Sequence, residues 1–312
     1  MKKEEFYYDS RDGKHKIHAV RYLPDDRRVV GVLQIIHGMA EYIERYEETA
    51  EFFVQQGFVV TGEDHLGHGK SVGEEKLYGY FCEQDPATVV VRDVHRLKKM
   101  TQTLYPDVPY IILGHSMGSF ILRNYLFRYG TGIKGAVIMG TGMQSGAVIA
   151  ASKAFAGIQK LFCGSKHVSK LIDGIAFGTY NKQIASPRTA FDWLSCNTDN
   201  VDRYVADPLC GFVFTVNGFS TLFELIARLL KQDNLKKIPK DLPIFMVSGA
   251  QDPVGDYGVG VQKAYDALKE VGVENVTLKL YEHDRHEILN EDDNDAVKMD
   301  ILNWIKDNII VS

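Results

Sequence analysis

The sequence is sparing with the features that mark several protein classes. Its four cysteines, Cys82, Cys163, Cys196 and Cys210, are irregularly spaced and form no Cys-x-x-Cys pair. Neither a disulfide scaffold nor a zinc site is indicated, and free thiols in a reducing compartment fit best. No apolar stretch approaches the length that crosses a bilayer, and the lysines of Met1-Lys2-Lys3-Glu4-Glu5-Phe6 precede no apolar run of a secretion signal. The expectation is a soluble, cytoplasmic protein. Positive charge is not in excess: 36 basic residues against 41 acidic ones give a formal charge of -5. Without a long basic run, a nucleic-acid surface is not expected. Internal repeats and low-complexity tracts are also missing. What remains is 312 residues, 45% of them hydrophobic, enough for one large α/β domain with an insertion or for two modest domains.

What is present is a rhythm. Residues 4–9 and 15–22 have strand-like content around a hairpin turn at Asp12-Gly13, and the mixed alternation of 15–22 predicts an edge region. Val29 to Ile36 is a nearly continuous apolar run, expected of a strand covered on both faces. A helical face at Tyr46, Ala50, Phe53 and Val54, a strand at 58–61, an amphipathic helix with Val90, Val94, Leu97 and Leu104 expected inward, a strand at 110–113, a helix at 117–129 and a strand at 135–139 follow. This alternation predicts a parallel sheet with helices on both faces. From about 142 to 218 it breaks into apolar-rich helical pieces at 147–162, 168–176 and 187–195, with a strand signal only at Phe212-Val213-Phe214. Residues 143–216 are therefore expected to form a helical cap, or lid, over the carboxyl edge of the sheet. Helix 219–230, strand 242–247, helix 260–271, strand 276–281 and a last helix with Val297, Ile301, Trp304 and Ile305 on one face complete a core of 1–142 and 217–312.

Ligands of open parallel sheets sit beyond the carboxyl ends of the strands, so the loops there are read for chemistry. The strand at 110–113 runs into Gly114-His115-Ser116-Met117-Gly118 and then a helix, the strand-turn-helix pattern that presents a nucleophilic serine. Taken alone, a serine among glycines is more often a turn residue satisfying local backbone. A hydroxyl is a poor nucleophile at neutral pH and needs an imidazole to accept its proton and an acid to orient that imidazole. The loop after 242–247 offers Asp252, with Asp256 further from the strand end; the loop after 276–281 offers His283 and His286, between which spacing does not choose. The order serine, acid, histidine is the one this arrangement uses. For the oxyanion of an acyl-transfer intermediate, the backbone N–H of Met117 is one donor, and that of Met39 in His37-Gly38-Met39 is the other.

Three further patterns compete. Asp64 to Ser71 matches a phosphate-binding loop except at its first glycine, where Asp64 would oppose phosphates; a tight structural loop is the preferred reading. Gly140 to Ser145 is an imperfect dinucleotide fingerprint. His283, Asp284, His286 and Glu287 cluster in sequence but lack the helical spacing that would set metal ligands on one face. No cofactor and no metal are implied.

His37-Gly38-Met39-Ala40-Glu41, Asp64-His65-Leu66-Gly67-His68-Gly69-Lys70-Ser71, Gly114-His115-Ser116-Met117-Gly118 and Asp252-Pro253-Val254 together resemble the α/β-hydrolase superfamily. More narrowly, they are similar to its monoacylglycerol lipase and lysophospholipase group of serine hydrolases. The resemblance covers most of the core; 143–216 is recognisable only as a cap of the expected size and place. It implies a mostly parallel central sheet with a helical cap insertion, and an esterase or lipase working through an acyl-enzyme. In that family the catalytic histidine precedes a stretch ending in Asn-Glu, which His286-Glu287-Ile288-Leu289-Asn290-Glu291 matches and His283 does not. The implied catalytic set is Ser116, Asp252 and His286, with the amides of Met39 and Met117 as oxyanion hole. Tyr42 departs from the pattern, where many relatives carry histidine. The expected partner is a small-molecule ester with an apolar acyl chain, such as a monoacylglycerol or lysophospholipid, and the apolar cap leaves transient membrane contact open. The alternatives are a cap-bearing serine peptidase resembling aminopeptidases and a non-catalytic binding protein on the same fold. An epoxide hydrolase or dehalogenase would want aspartate at position 116.

Overall fold

Residues 1–25 and 28–310 are described by a computed structural model; residues 26, 27, 311 and 312 of the expected core lie outside the described residues. The elements in chain order are β1 (Lys2–Asp9), β2 (Lys16–Leu23), β3 (Gly31–Ile36), α1 (Glu47–Gln55), β4 (Phe58–Glu63), α2 (Pro86–Leu104), β5 (Tyr110–His115), α3 (Met117–Tyr129), β6 (Gly135–Met139), α4 (Gly146–Cys163), α5 (Lys170–Phe177), α6 (Thr198–Ala206), α7 (Val216–Leu229), α8 (Gln232–Leu235), β7 (Ile244–Gly249), α9 (Val259–Glu270), β8 (Val276–Tyr281) and α10 (Asn294–Asn308). The strands form an eight-stranded sheet in the order β1-β2-β4-β3-β5-β6-β7-β8. Every neighbouring pair from β4 to β8 is parallel, while β2 pairs antiparallel with both β1 and β4. This is the α/β-hydrolase fold.

Burial on both faces explains the continuous apolar runs. In β5, Tyr110 and Ile112 join the core shared with α2, α3, α7 and α9, while Ile111 and Leu113 join the core shared with α1 and α10. Alternate side chains of one strand thus feed two separate cores, leaving no polar face to alternate with. The edge reading of 15–22 is corrected. β2 is interior, flanked by β1 and β4, and β1 forms the sheet's edge.

The chain leaves the sheet after β6 and returns at β7. Of the three helical pieces expected there, the first two correspond to α4 and α5; the third, at 187–195, is largely turn and loop, with only a 3-10 turn at Asp192–Leu194. Its apolar residues Phe191, Trp193 and Leu194 pack inward from an irregular path. The helix of that region is α6, whose N-terminus is capped by the Asn197 side chain accepting from the Asn200 N–H at 3.1 Å. Phe212-Val213-Phe214 is not a strand; Phe214 instead packs among His68, Phe81 and Phe219.

Candidate active site

Ser116 occupies the sharp turn between β5 and α3 with φ 55 and ψ -122, a conformation that costs about 1–3 kcal/mol for a residue with a side chain. The turn is closed by contacts that only glycine tolerates. A Cβ on Gly114 would lie 2.4 Å from the Gly118 carbonyl oxygen, and one on Gly118 would lie 2.1 Å from that of Ile36. The strand ends bring four expected residues to this turn. Ser116, Met117, Met39 and His286 line one cavity of about 780 Å³, shared with Gly38 and apolar side chains of α4, α5 and α7. Asp252 lies behind it, fully buried, and its Oδ2 is 2.8 Å from His286 Nδ1. The carboxylate is held in turn: Oδ1 accepts from the Val254 N–H at 2.8 Å and Oδ2 from Ser248 Oγ at 3.3 Å.

The competing residues point elsewhere. Asp256 is exposed at a turn, and His283 is exposed with its carbonyl accepting from Cys196 Sγ. His283, Asp284, His286 and Glu287 do not converge, and among the described residues no group of three such side chains is placed to hold a metal. Asp64 is a structural staple: its carboxylate accepts from the backbone N–H of Ile43 and of Lys70, each at 2.8 Å, and faces His18 Nδ1 at 2.8 Å. Ser145 caps α4 by accepting from the Val148 N–H, so the Gly140 to Ser145 pattern is a helix start.

The Met117 amide opens α3, where no preceding turn supplies an acceptor, and among the described residues neither it nor the Met39 amide donates to another backbone or side-chain group. Gly38, just before Met39, is fixed by a hydrogen bond from its N–H to Glu41 Oε1. Glu41 belongs to a buried network that the sequence did not reveal. Arg45 donates to Glu41 Oε2 at 2.7 Å and grips Glu287 through two bonds of 2.8 and 2.9 Å. Tyr46 OH donates to Glu41 Oε1, and His115 Nδ1 lies 3.3 Å from the same oxygen. The other ring nitrogen of His115 is 3.2 Å from the His286 carbonyl. Burial alone would push the Glu41 carboxyl up, but the His115 hydrogen bond and the Arg45 charge outweigh it and hold it down to about 2. One guanidinium thus links the loop carrying Met39 to the loop carrying His286. Glu41 lies outside the 3-10 turn Ile43–Tyr46 that carries Arg45, so their spacing is no helical pairing signal, and nothing local announced Glu287 as the third member.

A strained serine, an imidazole oriented by a buried carboxylate and two free amides in one apolar cavity form a set able to transfer an acyl group. The chain is 26% identical to the monoglyceride lipase of Rattus norvegicus over 303 residues, covering 94% of this chain and 88% of the relative. It is 27% identical to the monoacylglycerol lipase of Mycolicibacterium smegmatis over 275 residues, covering 88% of each. Among solved structures, a thermostable carboxyl esterase from Bacillus coagulans in complex with glycerol superimposes with a TM-score of 0.92 at 30% identity, covering 99% of this chain and 100% of that one. The profile of the family described as serine aminopeptidase, S33, matches residues 27–293, and the chain belongs to that family of α/β-hydrolases.

Proposed function

We infer that the protein hydrolyses carboxylic esters through an acyl-enzyme: Ser116 attacks the ester carbonyl, His286 takes its proton and returns it to the leaving alcohol, a water deprotonated by His286 then attacks the acyl-serine to release the acid and restore the Ser116 hydroxyl, and Asp252 orients the imidazole. The amides of Met39 and Met117 stabilise the oxyanion. The observation that carries this reading is the 2.8 Å contact between His286 Nδ1 and Asp252, in a ring that lines the same cavity as Ser116.

The cavity wall supports a lipid-like acyl chain. Ile149, Phe155 and Ile172 on α4 and α5 line it together with Leu222, Phe223 and Ile226 on α7, a surface that rewards alkyl burial by about 0.8 kcal/mol per methylene. A monoacylglycerol or a similar lipid ester meets that description, in line with the lipases among the relatives. A peptidase would need an anion for a peptide amino group. Of the three carboxylates that line the cavity, Glu41 and Glu287 are already engaged by Arg45, and burial shifts the pKa of the third, Asp173, upward. On this reading residues 143–216 act as a cap. Their exposed Leu161 and Phe162 on α4, each 81% accessible, with Lys160 beside them and Lys170 at the start of α5, would meet a lipid surface transiently. No helix among the described residues is long and apolar enough to cross a membrane.

The test is a panel of monoacylglycerols, lysophospholipids, short aryl esters and aminoacyl amides. Ester turnover is expected, strongest on monoacylglycerols and lost in a Ser116→Ala variant. Exclusive amide cleavage, or undiminished ester turnover by Ser116→Ala, would overturn the reading.

A further inference from the structure

Between β8 and α10 the chain from Glu282 to Asp293 has no regular secondary structure, yet it carries His286. Much of what fixes it comes from residues 192–200 of the inserted segment. The Arg285 guanidinium donates to the carbonyls of Asp192 at 2.8 Å and Ser195 at 3.0 Å. The Glu287 N–H donates to the Leu194 carbonyl at 2.7 Å, and Asn200 Nδ2 donates to Glu287 Oε2 at 2.7 Å. The residues on both sides of His286 are therefore anchored to the same strap. The Trp193 ring lies with its centroid 5.1 Å from that of His286 itself.

Glu291 ties the two together. Its carboxylate, in a residue only 2% exposed, accepts from Ser195 Oγ at 2.7 Å and from the N–H groups of Cys196 at 2.8 Å and Asn197 at 3.1 Å, all in the strap. It also accepts from the Arg285 N–H at 2.9 Å, one residue before the imidazole. A buried carboxylate is costly to desolvate, and an apolar side chain could fill such a space at less cost. What an apolar side chain could not do is bind donors on both sides of the junction at once. Glu291 does not line the cavity, so its influence on chemistry has to pass through the loop it holds.

We propose that the strap 192–200 is the positioning element for His286 and that Glu291 is the residue through which it acts. The proposal rests on the reading of His286 as general base. A displacement of about 1 Å at a reacting group costs about 100-fold in rate, and a loop without its own ladder of backbone bonds is open to displacements of that size.

Glu291→Ala is expected to lower kcat on a short aryl ester by about 10- to 100-fold with KM within about twofold, and to slow fluorophosphonate labelling in parallel. Assays are run below the variant's melting temperature. Asn200→Ala, which removes only the bond to Glu287, serves if Glu291→Ala does not fold. It is expected to lower kcat several-fold with KM unchanged. Asp202→Ala, on the same helix α6 as Asn200, loses an exposed ion pair with Arg188 and is expected to leave both constants as they are. A lowered melting temperature with kcat unchanged in Glu291→Ala or Asn200→Ala, or an Asp202→Ala variant as impaired as they are, would overturn the proposal. His286→Ala separates the two levels: if it retains ester turnover, the assignment of the base has failed; if it is inactive while Glu291→Ala and Asn200→Ala are unimpaired, only the strap has.

Discussion

The two halves of the inserted segment are attached to the core by different means. α4 and α5 are held mostly by apolar packing, with α4 laid along α7 and the exposed Lys153–Glu224 ion pair beside it, and they turn Ile158, Leu161, Phe162, Leu171 and Ile175 outward. Residues 192–211 are held by directional bonds to the loops of the site. Tyr204 OH and the Gly211 N–H both donate to the Ala40 carbonyl, at 3.0 and 2.9 Å, and Tyr42 OH donates to Asp207 Oδ2 at 2.8 Å. Apolar contact is non-directional and can slide and re-form, whereas a set of charge-assisted bonds has one geometry. The contrast separates what each half can do. Under the proposed function, α4 and α5 are the part that would yield to substrate and to a lipid surface, while 192–211 would stay with the loops that carry His286 and Met39. Tyr42, the departure from the family pattern, belongs to the second half's attachments through its bond to Asp207.

The largest effect that would test this contrast comes from the cation at the junction. Arg45→Ala leaves Glu41 and Glu287 buried without their partner, which costs about 3–5 kcal/mol. Amide hydrogen exchange over 192–211 should then rise toward that of α4 and α5, and ester turnover should fall about 100-fold. Arg45→Lys should restore little, because a point charge cannot reproduce the forked grip on Glu287. Unchanged exchange in Arg45→Ala would break the comparison. A smaller effect is expected from the other half. Leu161→Ser combined with Phe162→Ser should reduce sedimentation with lipid vesicles about tenfold or more, as the lost apolar area implies, while the thermal midpoint and kcat on a soluble aryl ester stay put. If turnover of the soluble ester falls instead, those side chains belong to the site and not to a surface.

The smallest effect concerns ionisation. Burial pulls the His115 pKa down, but the hydrogen bond and charge of Glu41 more than offset it and the pKa is raised from 6.5. The contribution of His115 is therefore present below about 6.5 and is lost as pH rises through the raised folded value. That of Glu41, lowered from 4.5 to about 2, is present above about 4.5 and is lost as pH falls toward 2. The pair supports the junction most fully between those two ordinary values. Thermal melts across pH should show the gap between the protein and its His115→Gln variant widest in that window and narrowing on the alkaline side; a gap independent of pH would contradict the pairing.

What could be read in advance was local. The elbow around Ser116, the apolar strands and the helices of the core announce themselves within about ten residues, because periodicity and turn chemistry act over that range. The helix expected at 187–195 failed because apolar residues there serve packing from an irregular path, and α6 was missed because its few buried residues sit among Asp199, Asp202 and Arg203. Beyond the pairing of His286 with Asp252, the long-range bonds that brace the site were not legible. Arg45 meets Glu287 across 242 residues of chain and Ser195 meets Glu291 across 96, and no pattern within one segment records such a partner.

All of the proposed chemistry starts at the Ser116 hydroxyl. After incubation with a fluorophosphonate probe, peptide mass mapping should find one adduct, on Ser116, in the protein and none in Ser116→Ala. An adduct on another residue, or equal labelling of both, would contradict it.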